Sequence, residues 1–171
     1  MVFQLLMNTK HEETTKLTRD QVLSLDVATH CGFHSTHESG TWDFTESMRR
    51  NGNKQHKAFR DTLMQFIAGH GIKQIVAEDV SAGTSKGGFK SSVKLAEFRG
   101  ILLEICDTLD LPEPIFINPT TVKKWATGDG RADKQKMIEF CKKRWGIQPC
   151  DDNEADATHI FMYYIRKNNI L

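Results

Sequence analysis

The sequence predicts one α/β domain in which three antiparallel strands are followed by strands that alternate with helices. Short apolar runs with strand periodicity recur as far as residue 117. Segments with the apolar spacing of helices separate the later runs. No internal repeat or linker divides the 171 residues, a length that suits a single domain with its own core.

The first part of the chain predicts an antiparallel meander. Residues 1–20 form an irregular lead-in with a polar second half, and the domain spans residues 21–171. Gly32 lies between the first two strands, where its conformational freedom would allow a turn. Alternating apolar side chains place the three strands at residues 21–26, 33–36 and 41–45.

The second part of the chain predicts helices that alternate with two further strands. Apolar residues three and four positions apart indicate the helices, and short apolar runs between them indicate the strands. A loop rich in glycine, serine and lysine occupies residues 81–92. The expected order is helix 54–69, strand 74–78, helix 93–109, strand 115–117, helix 121–126, helix 133–145 and a last helix that opens within residues 151–157.

Composition narrows the class of protein. Hydrophobic residues make up 39% of the chain and charged residues 26%, as in ordinary globular domains. No apolar run approaches the ~18 residues of a membrane span, and the N-terminus lacks the pattern of a signal peptide. The four cysteines are scattered without a CxxC pair, which fits a reducing cytosol. We therefore expect a cytoplasmic protein that is not secreted and has no membrane partner, disulfide framework or zinc–thiolate site.

Charge is unevenly distributed, although the net charge is only +1. Residues 119–149 contain eight lysines and arginines against three acidic residues, and the acidic stretch 151–156 follows directly. A basic surface beside an acidic centre is what a metal-dependent enzyme that acts on a polyanion requires.

Three carboxylates stand out within this pattern. Asp26 and Glu78 each end an apolar strand, and ligands of open α/β sheets bind at that edge. Residues 152, 153 and 156 would share one face of a helix. Oxygen ligands suit Mg²⁺ or Mn²⁺, and two such ions can activate a water and stabilise the leaving oxygen in phosphodiester cleavage. The alternative is structural: acidic residues also cap the start of a helix.

Two other patterns predict less. His30, His34 and His37 lie in one stretch, but residue 37 would point away from the other two in a strand, so zinc is not expected. Residues 83–91 resemble a phosphate-binding loop, yet Phe89 separates the glycines from Lys90, so we expect no nucleotide cofactor. Lys86 and Lys90 then indicate contacts to a nucleic-acid backbone. Phe89 either folds onto the core or stacks on an unpaired base.

Five motifs follow one another along the chain. They are LSLD at 23–26 with Gly32 and Phe33, IVAE at 75–78, FRG at 98–100, PTTVKK at 119–124 with GDGRADK at 128–134, and EADA at 154–157. In this order they resemble the RuvC family of Holliday-junction resolvases, close to the phage-type version, over residues 21 to about 167. The resemblance implies a ribonuclease H-like fold, with a mixed five-stranded sheet of three antiparallel and then two parallel strands.

Carried over by position, the resemblance assigns roles to individual residues. Asp26, Glu78 and Asp156 match the catalytic, metal-binding carboxylates. Asn153 stands where the family usually has a further acid, and it can still ligate Mg²⁺ through its carbonyl oxygen. Asp152 is the alternative ligand. The expected DNA-binding residues are Lys86, Phe89, Lys90, Lys123, Lys124, Arg131 and Lys134, of which Lys134 lies near the scissile strand and Phe89 near the junction centre.

The resemblance implies an Mg²⁺-dependent endodeoxyribonuclease, with two ions per site and Mn²⁺ able to substitute. Its partner would be branched DNA, four-way junctions above all, and a homodimer would nick two strands symmetrically in a bacterial or phage-infected cell. Two alternatives stay open. One is ribonuclease H-type cleavage of RNA–DNA hybrids, and the other is a non-catalytic junction-binding module.

Overall fold

One mixed sheet forms the centre of the protein. The computed structural model describes residues 16–45, 52–79 and 88–171, and all their side chains except those of residues 52, 53 and 88–91. In these residues five strands pair in the order β3-β2-β1-β4-β5. The strands are β1 (Val22–Asp26), β2 (His30–His34), β3 (Ser39–Asp43), β4 (Gln74–Glu78) and β5 (Ile115–Ile117).

Strand directions confirm the predicted sheet. β1 and β2 are antiparallel, as are β2 and β3. β4 lies between β1 and β5 and runs parallel to both. The first three strands therefore form a meander, and the last two are reached through helices, as parallel pairing requires.

Helices cover both faces of the sheet. The helix over Pro119–Thr127 starts at a proline. Asn118 caps this helix by accepting from Thr120 N–H, and Gly128, with a positive φ of 82°, ends it. Such a glycine is typical of a helix C-terminus. Among the described residues no helix is long and apolar enough to span a membrane. The helices are α1 (Gly52–His70), α2 (Gly88–Thr108), α3 (Pro119–Thr127), α4 (Lys134–Trp145) and α5 (Asp152–Lys167), and a short 3₁₀ turn (Arg19–Gln21) precedes β1.

Two predicted boundaries are wrong by several residues. β2 begins at His30, three residues early, so Gly32 lies inside the strand and not at a turn. α2 begins at Gly88, so Phe89 and Lys90 belong to the first helical turn and not to a loop. Glycine and serine are weak helix formers, but local propensity is readily overridden by the rest of the fold.

Alternation along the strands divides the core into two layers. Leu23, Leu25, Ile75 and Ala77 face α1 and α2, where they pack with the aromatic residues of those helices. Val22 and Val76, at the intervening positions, pack instead with α3 and α5. The layers are named here the α1–α2 layer and the α5 layer. Because residues i and i+2 of a strand share a face, Asp26 and Glu78 lie on the side of the α5 layer.

Candidate functional site

Two of the candidate carboxylates end neighbouring parallel strands. Leu25 pairs with Ala77, so the next residues, Asp26 and Glu78, sit side by side at the carboxyl edge of the sheet. Burial raises the pKa of Asp26 well above its usual value, and repulsion from Glu78 and Asp156 raises it further. Burial also raises the pKa of Glu78 to about 7, again with a contribution from Asp156.

Asp156 joins this pair from the first turns of α5. Burial raises the pKa of Asp156 to about 6, and repulsion from Asp152 adds to the effect, whereas Lys123 and Lys134 oppose it. Its Oδ1 atom is buried and has no hydrogen-bond partner among the described residues. Buried polar atoms are rarely left unpaired, so this oxygen is available to accept a further partner.

Two carboxylates of the acidic stretch at residues 151–156 make structural hydrogen bonds. Asp151 caps α5: its Oδ1 accepts from Glu154 N–H (2.9 Å) and from the Thr41 hydroxyl (2.7 Å). Glu154 is buried, and it accepts from Cys150 N–H and from the Ser39 hydroxyl, both at 2.7 Å. Burial alone would raise the pKa of both carboxyls, but these hydrogen bonds outweigh it and the pKa of each lies below its usual value. The structural interpretation thus applies to Asp151 and Glu154, whereas the charge of Asp156 acts on Asp26 and Glu78.

Polar contacts hold α5 against the sheet. The Ser24 hydroxyl donates to Ala157 O (2.7 Å), and the Thr158 hydroxyl lies 3.0 Å from His34 Nδ1. Gly32 pairs directly with Asp26, and a Cβ atom at Gly32 would lie 2.0 Å from Asn153 O. The glycine is therefore required for close approach of α5, a role that the sequence did not reveal.

Two lysines accompany the carboxylates. Lys134, at the start of α4, places its Nζ 2.5 Å from Oδ2 of Asp152, at the start of α5. This hydrogen bond raises the pKa of Lys134. The charge of Lys123 on α3 partly opposes the rise in the pKa of Asp26, Glu78 and Asp156.

The other predicted DNA-binding residues are either exposed or outside the described structure. Lys124 and Arg131 are exposed on the α3–α4 segment. Lys86 lies outside the described residues, as do the side chains of Phe89 and Lys90.

The basic stretch also has a structural part. Arg144 lies over the rings of Trp125 and Trp145, 4.8 Å from each centroid. Its guanidinium donates to Trp125 O (2.6 Å) and Ala126 O (2.7 Å), two carbonyls in the last turn of α3. This residue therefore ties α4 to α3 and is not simply a solvated charge.

The three histidines that might have indicated zinc separate. His34 is buried beside Thr158, His30 lies beside Asp43, and His37 stacks on His70. In the part of the chain that the structure describes, no three His, Cys, Asp or Glu side chains form a ready-made metal cluster. The carboxylates of the acidic centre come from separate elements and repel one another, which contributes to the raised pKa of Asp26 and Glu78.

An ion pair behind the site was not predicted from the sequence. Arg99 Nη1 donates to Asp79 Oδ1 at 2.9 Å, and its guanidinium lies 3.4 Å from the centre of the Phe116 ring. Asp79 follows Glu78 and adds to the repulsion that raises the pKa of Glu78. Neither residue lies in a pattern with a recognisable period, so only the folded chain brings them together.

Comparison with curated proteins identifies relatives. No protein-family model matches the chain. It is similar to the crossover junction endodeoxyribonuclease RuvC of Wolinella succinogenes, with 30% identity over 118 residues that cover 62% of this chain and 70% of that protein. RuvC of Brachyspira hyodysenteriae is 32% identical over 81 residues, which cover 47% of this chain and 50% of that protein.

Comparison with solved structures supports the fold. RuvC of Thermus thermophilus in complex with a Holliday junction substrate superimposes with a TM-score of 0.66 and 16% identity, over 86% of this chain and 95% of that one. The yeast mitochondrial Holliday junction resolvase gives a TM-score of 0.57 and 13% identity, over 90% and 80%. These likenesses show the ribonuclease H-like fold, and the identity to the Wolinella protein shows more: the chain belongs to the RuvC family of crossover junction endodeoxyribonucleases.

Proposed function

We propose that this protein is a metal-dependent endonuclease that resolves four-way and related branched DNA junctions. The observation that carries the proposal is the convergence of Asp26, Glu78 and Asp156 at one edge of the sheet, with the pKa of each raised by burial. Buried carboxylates that repel one another are unfavourable unless a cation binds among them. Family membership supplies the substrate class, since the relatives are crossover junction endodeoxyribonucleases.

The donor set fits a hard divalent cation. Carboxylate oxygens are the ligands that Mg²⁺ and Mn²⁺ prefer, and the unpaired Oδ1 of Asp156 is available for one. Asp26, Glu78 and Asp156 would hold the metal, two ions in our proposal, with Asp152 or Asn153 as the fourth residue. When bound, such ions supply Lewis-acid stabilisation of the phosphodiester and activation of water.

The chain itself positions these groups. The Ser24 hydroxyl and Gly32 fix how closely α5 approaches β1, and so set the distance from Asp156 to Asp26. Asp152 holds the ammonium group of Lys134 beside the carboxylates. Lys134 and Lys123 then bind the phosphates on either side of the cleaved bond, where their charge favours the incoming polyanion.

A homodimer is the second part of the proposal. A four-way junction offers two equivalent strands related by a two-fold axis, and symmetric assemblies match such substrates naturally. Each chain would contribute one acidic centre, so that paired nicks release two duplexes.

The test is a panel of labelled substrates incubated with Mg²⁺ or Mn²⁺: a four-way junction, a linear duplex and an RNA–DNA hybrid. We expect paired nicks near the branch point of the junction alone. Asp107 is an exposed carboxylate at the end of α2. Asp107→Asn is therefore the control for the loss of one negative charge in Asp26→Asn, and it should cut the junction normally. Cutting of the hybrid alone would contradict the proposal and favour ribonuclease H activity, and binding without cutting would favour a non-catalytic module.

A further inference from the structure

The residue that follows Glu78 is a second carboxylate, and it points away from the acidic centre. Glu78 ends β4 on the side of the α5 layer, and successive residues of an extended chain point to opposite faces. Asp79 accordingly meets α2, where Arg99 Nη1 donates to its Oδ1 at 2.9 Å. Two neighbouring carboxylates therefore face different sides of the sheet, and the second is paired with an arginine.

Contacts with β5 hold Arg99 and Asp79 in this arrangement. The Asp79 N–H donates to Ile117 O at 2.9 Å, one residue beyond the end of β4. The Arg99 guanidinium lies 3.4 Å from the centre of the Phe116 ring, a geometry in which the cation is attracted to the ring face. A planar guanidinium can stack and donate hydrogen bonds at the same time. The Arg99 side chain is thus held by a ring and a carboxylate together.

The charge of Asp79 acts on the acidic centre. Burial of Glu78 and the charge of Asp156 raise the pKa of Glu78 most, and Asp79 adds to them. A carboxylate is also a ligand that hard divalent cations prefer, so an unpaired Asp79 would compete for the cation proposed at Glu78. The number and charge of the carboxylate ligands tune the affinity of such a site. Cleavage depends instead on where the reacting groups lie, since a misplacement of about 1 Å can cost about 100-fold.

We propose that Arg99 is a positioning residue that withholds the carboxylate of Asp79 from the acidic centre, so that Glu78 alone of the two binds the cation. The inference rests on the proposed function, since the cation is the one proposed there. Without Arg99 the carboxylate of Asp79 joins the site, which then binds the cation more tightly but in a position that serves cleavage less well. A residue that only stabilised the fold would, when lost, weaken binding and cleavage together.

The test compares the affinity for Mn²⁺, measured by titration calorimetry, with the rate of junction cleavage at saturating Mn²⁺ and the same pH. Arg99→Met removes the charge and the donors but keeps a flexible side chain against Phe116. We expect Mn²⁺ to bind this variant at least about threefold more tightly, because one more carboxylate is available. Cleavage should slow at least about tenfold, as it does when other groups that orient metal ligands are lost. Adding Asp79→Asn to Arg99→Met should return both values to within about twofold of the unmodified protein.

The chain offers a matched control at Arg60. Its Nε donates to Glu104 Oε2 at 3.2 Å, which joins α1 to α2 by a second arginine–carboxylate pair. The two arginine side chains are similarly exposed, 38% for Arg60 and 34% for Arg99. Arg60→Met should leave both the affinity for Mn²⁺ and the cleavage rate unchanged, because Glu104 does not adjoin a carboxylate of the acidic centre.

The outcomes separate this inference from the proposed function. If the unmodified protein neither binds Mn²⁺ nor cuts the junction, the proposed function fails and the inference fails with it. If it cuts, the proposed function stands, and the inference is overturned when Arg99→Met binds Mn²⁺ no more tightly or when the double variant does not recover cleavage. Binding without cutting removes the proposed function alone, and the calorimetry then decides the inference. Should Arg99→Met fail to fold, Arg99→Gln takes its place in the same measurements.

Discussion

The two faces of the sheet are built from different interactions. In the α1–α2 layer the buried side chains are almost all apolar, with Phe59, Leu63 and Phe98 fully buried and Gln55 as the exception. The α5 layer has a smaller apolar cluster and buries Ser24, His34, Glu154, Thr158 and His159 as well. Burial lowers the pKa of His34 to about 4, so it packs against Thr158 as a neutral ring.

The two layers therefore contribute differently: the α1–α2 layer mainly stabilises the fold, and the α5 layer mainly fixes the position of α5. Apolar burial is non-directional and scales with area, so the α1–α2 layer can hold the fold together without fixing any atom closely. Hydrogen bonds have defined lengths and angles, and those of the α5 layer fix α5 against β1 and β2. The face that carries the acidic centre is the face where position matters.

The largest expected effect is a loss of stability in the α1–α2 layer. Leu63→Ala removes a fully buried side chain of α1 that lies away from the carboxylates. The free energy of unfolding should fall by about 2–5 kcal/mol, measured by urea denaturation. Cleavage per folded molecule should stay the same; a large loss of activity in the folded fraction would show that the two layers are not separable.

Next comes a chemical change in the α5 layer. Asp26→Asn should slow junction cleavage by more than about 100-fold, because even outer partners of a metal site cost 10–100-fold. Junction binding, measured by gel shift, should change less than about twofold, since in our proposal lysines bind the phosphates. A parallel loss of binding and cleavage would contradict a purely catalytic role.

Close approach of α5 is tested at Gly32. In Gly32→Ala the new Cβ meets the backbone of Asn153, which cannot move as a side chain would. We expect a loss of about 1–3 kcal/mol in unfolding free energy, as for other overpacked sites, and slower cleavage even where the protein is folded. Ala at Gly69, which meets no atom within 4 Å, is the matched control. Equal behaviour of the two variants would refute the positioning role.

The smallest effect concerns one hydrogen bond. Ser24→Ala removes the donor to Ala157 O, and the unfolding free energy should fall by about 1 kcal/mol. If this bond positions Asp156, the cleavage rate of the folded protein should fall as well. Thermal unfolding beside single-turnover cleavage checks the comparison, and unchanged cleavage would assign Ser24 to packing alone.

The sequence was sufficient to predict the sheet and its three carboxylates. Each strand has its own alternation, and Asp26 and Glu78 could be placed because parallel strands end at one edge. Which acidic residues of 151–156 have structural roles could not be predicted. Glu154, for example, accepts a hydrogen bond from Ser39, which is more than a hundred positions away in the sequence. The role of Gly32 was missed for the same reason, because only the folded chain brings Asn153 against it.

We propose that Asp26, Glu78 and Asp156 form one site that a divalent cation completes. Glu78 has a pKa of about 7 in the folded chain, above its ordinary value of 4.5. The folded state therefore binds more protons than the unfolded state between those values, so stability falls as pH rises through this window, by about 1.4 kcal/mol per pKa unit. Glu78→Gln removes this penalty.

The most direct measurement is the thermal midpoint of the unmodified protein and of Glu78→Gln at pH 5 and pH 8, in chelator and in Mn²⁺. In chelator we expect the two proteins to differ less at pH 5, near the lower end of this window, than at pH 8, where the variant should be the more stable. Mn²⁺ should raise the midpoint of the unmodified protein at pH 8 and have little effect on the variant. Equal midpoints at pH 8 in chelator, together with an equal response to Mn²⁺, would contradict the site.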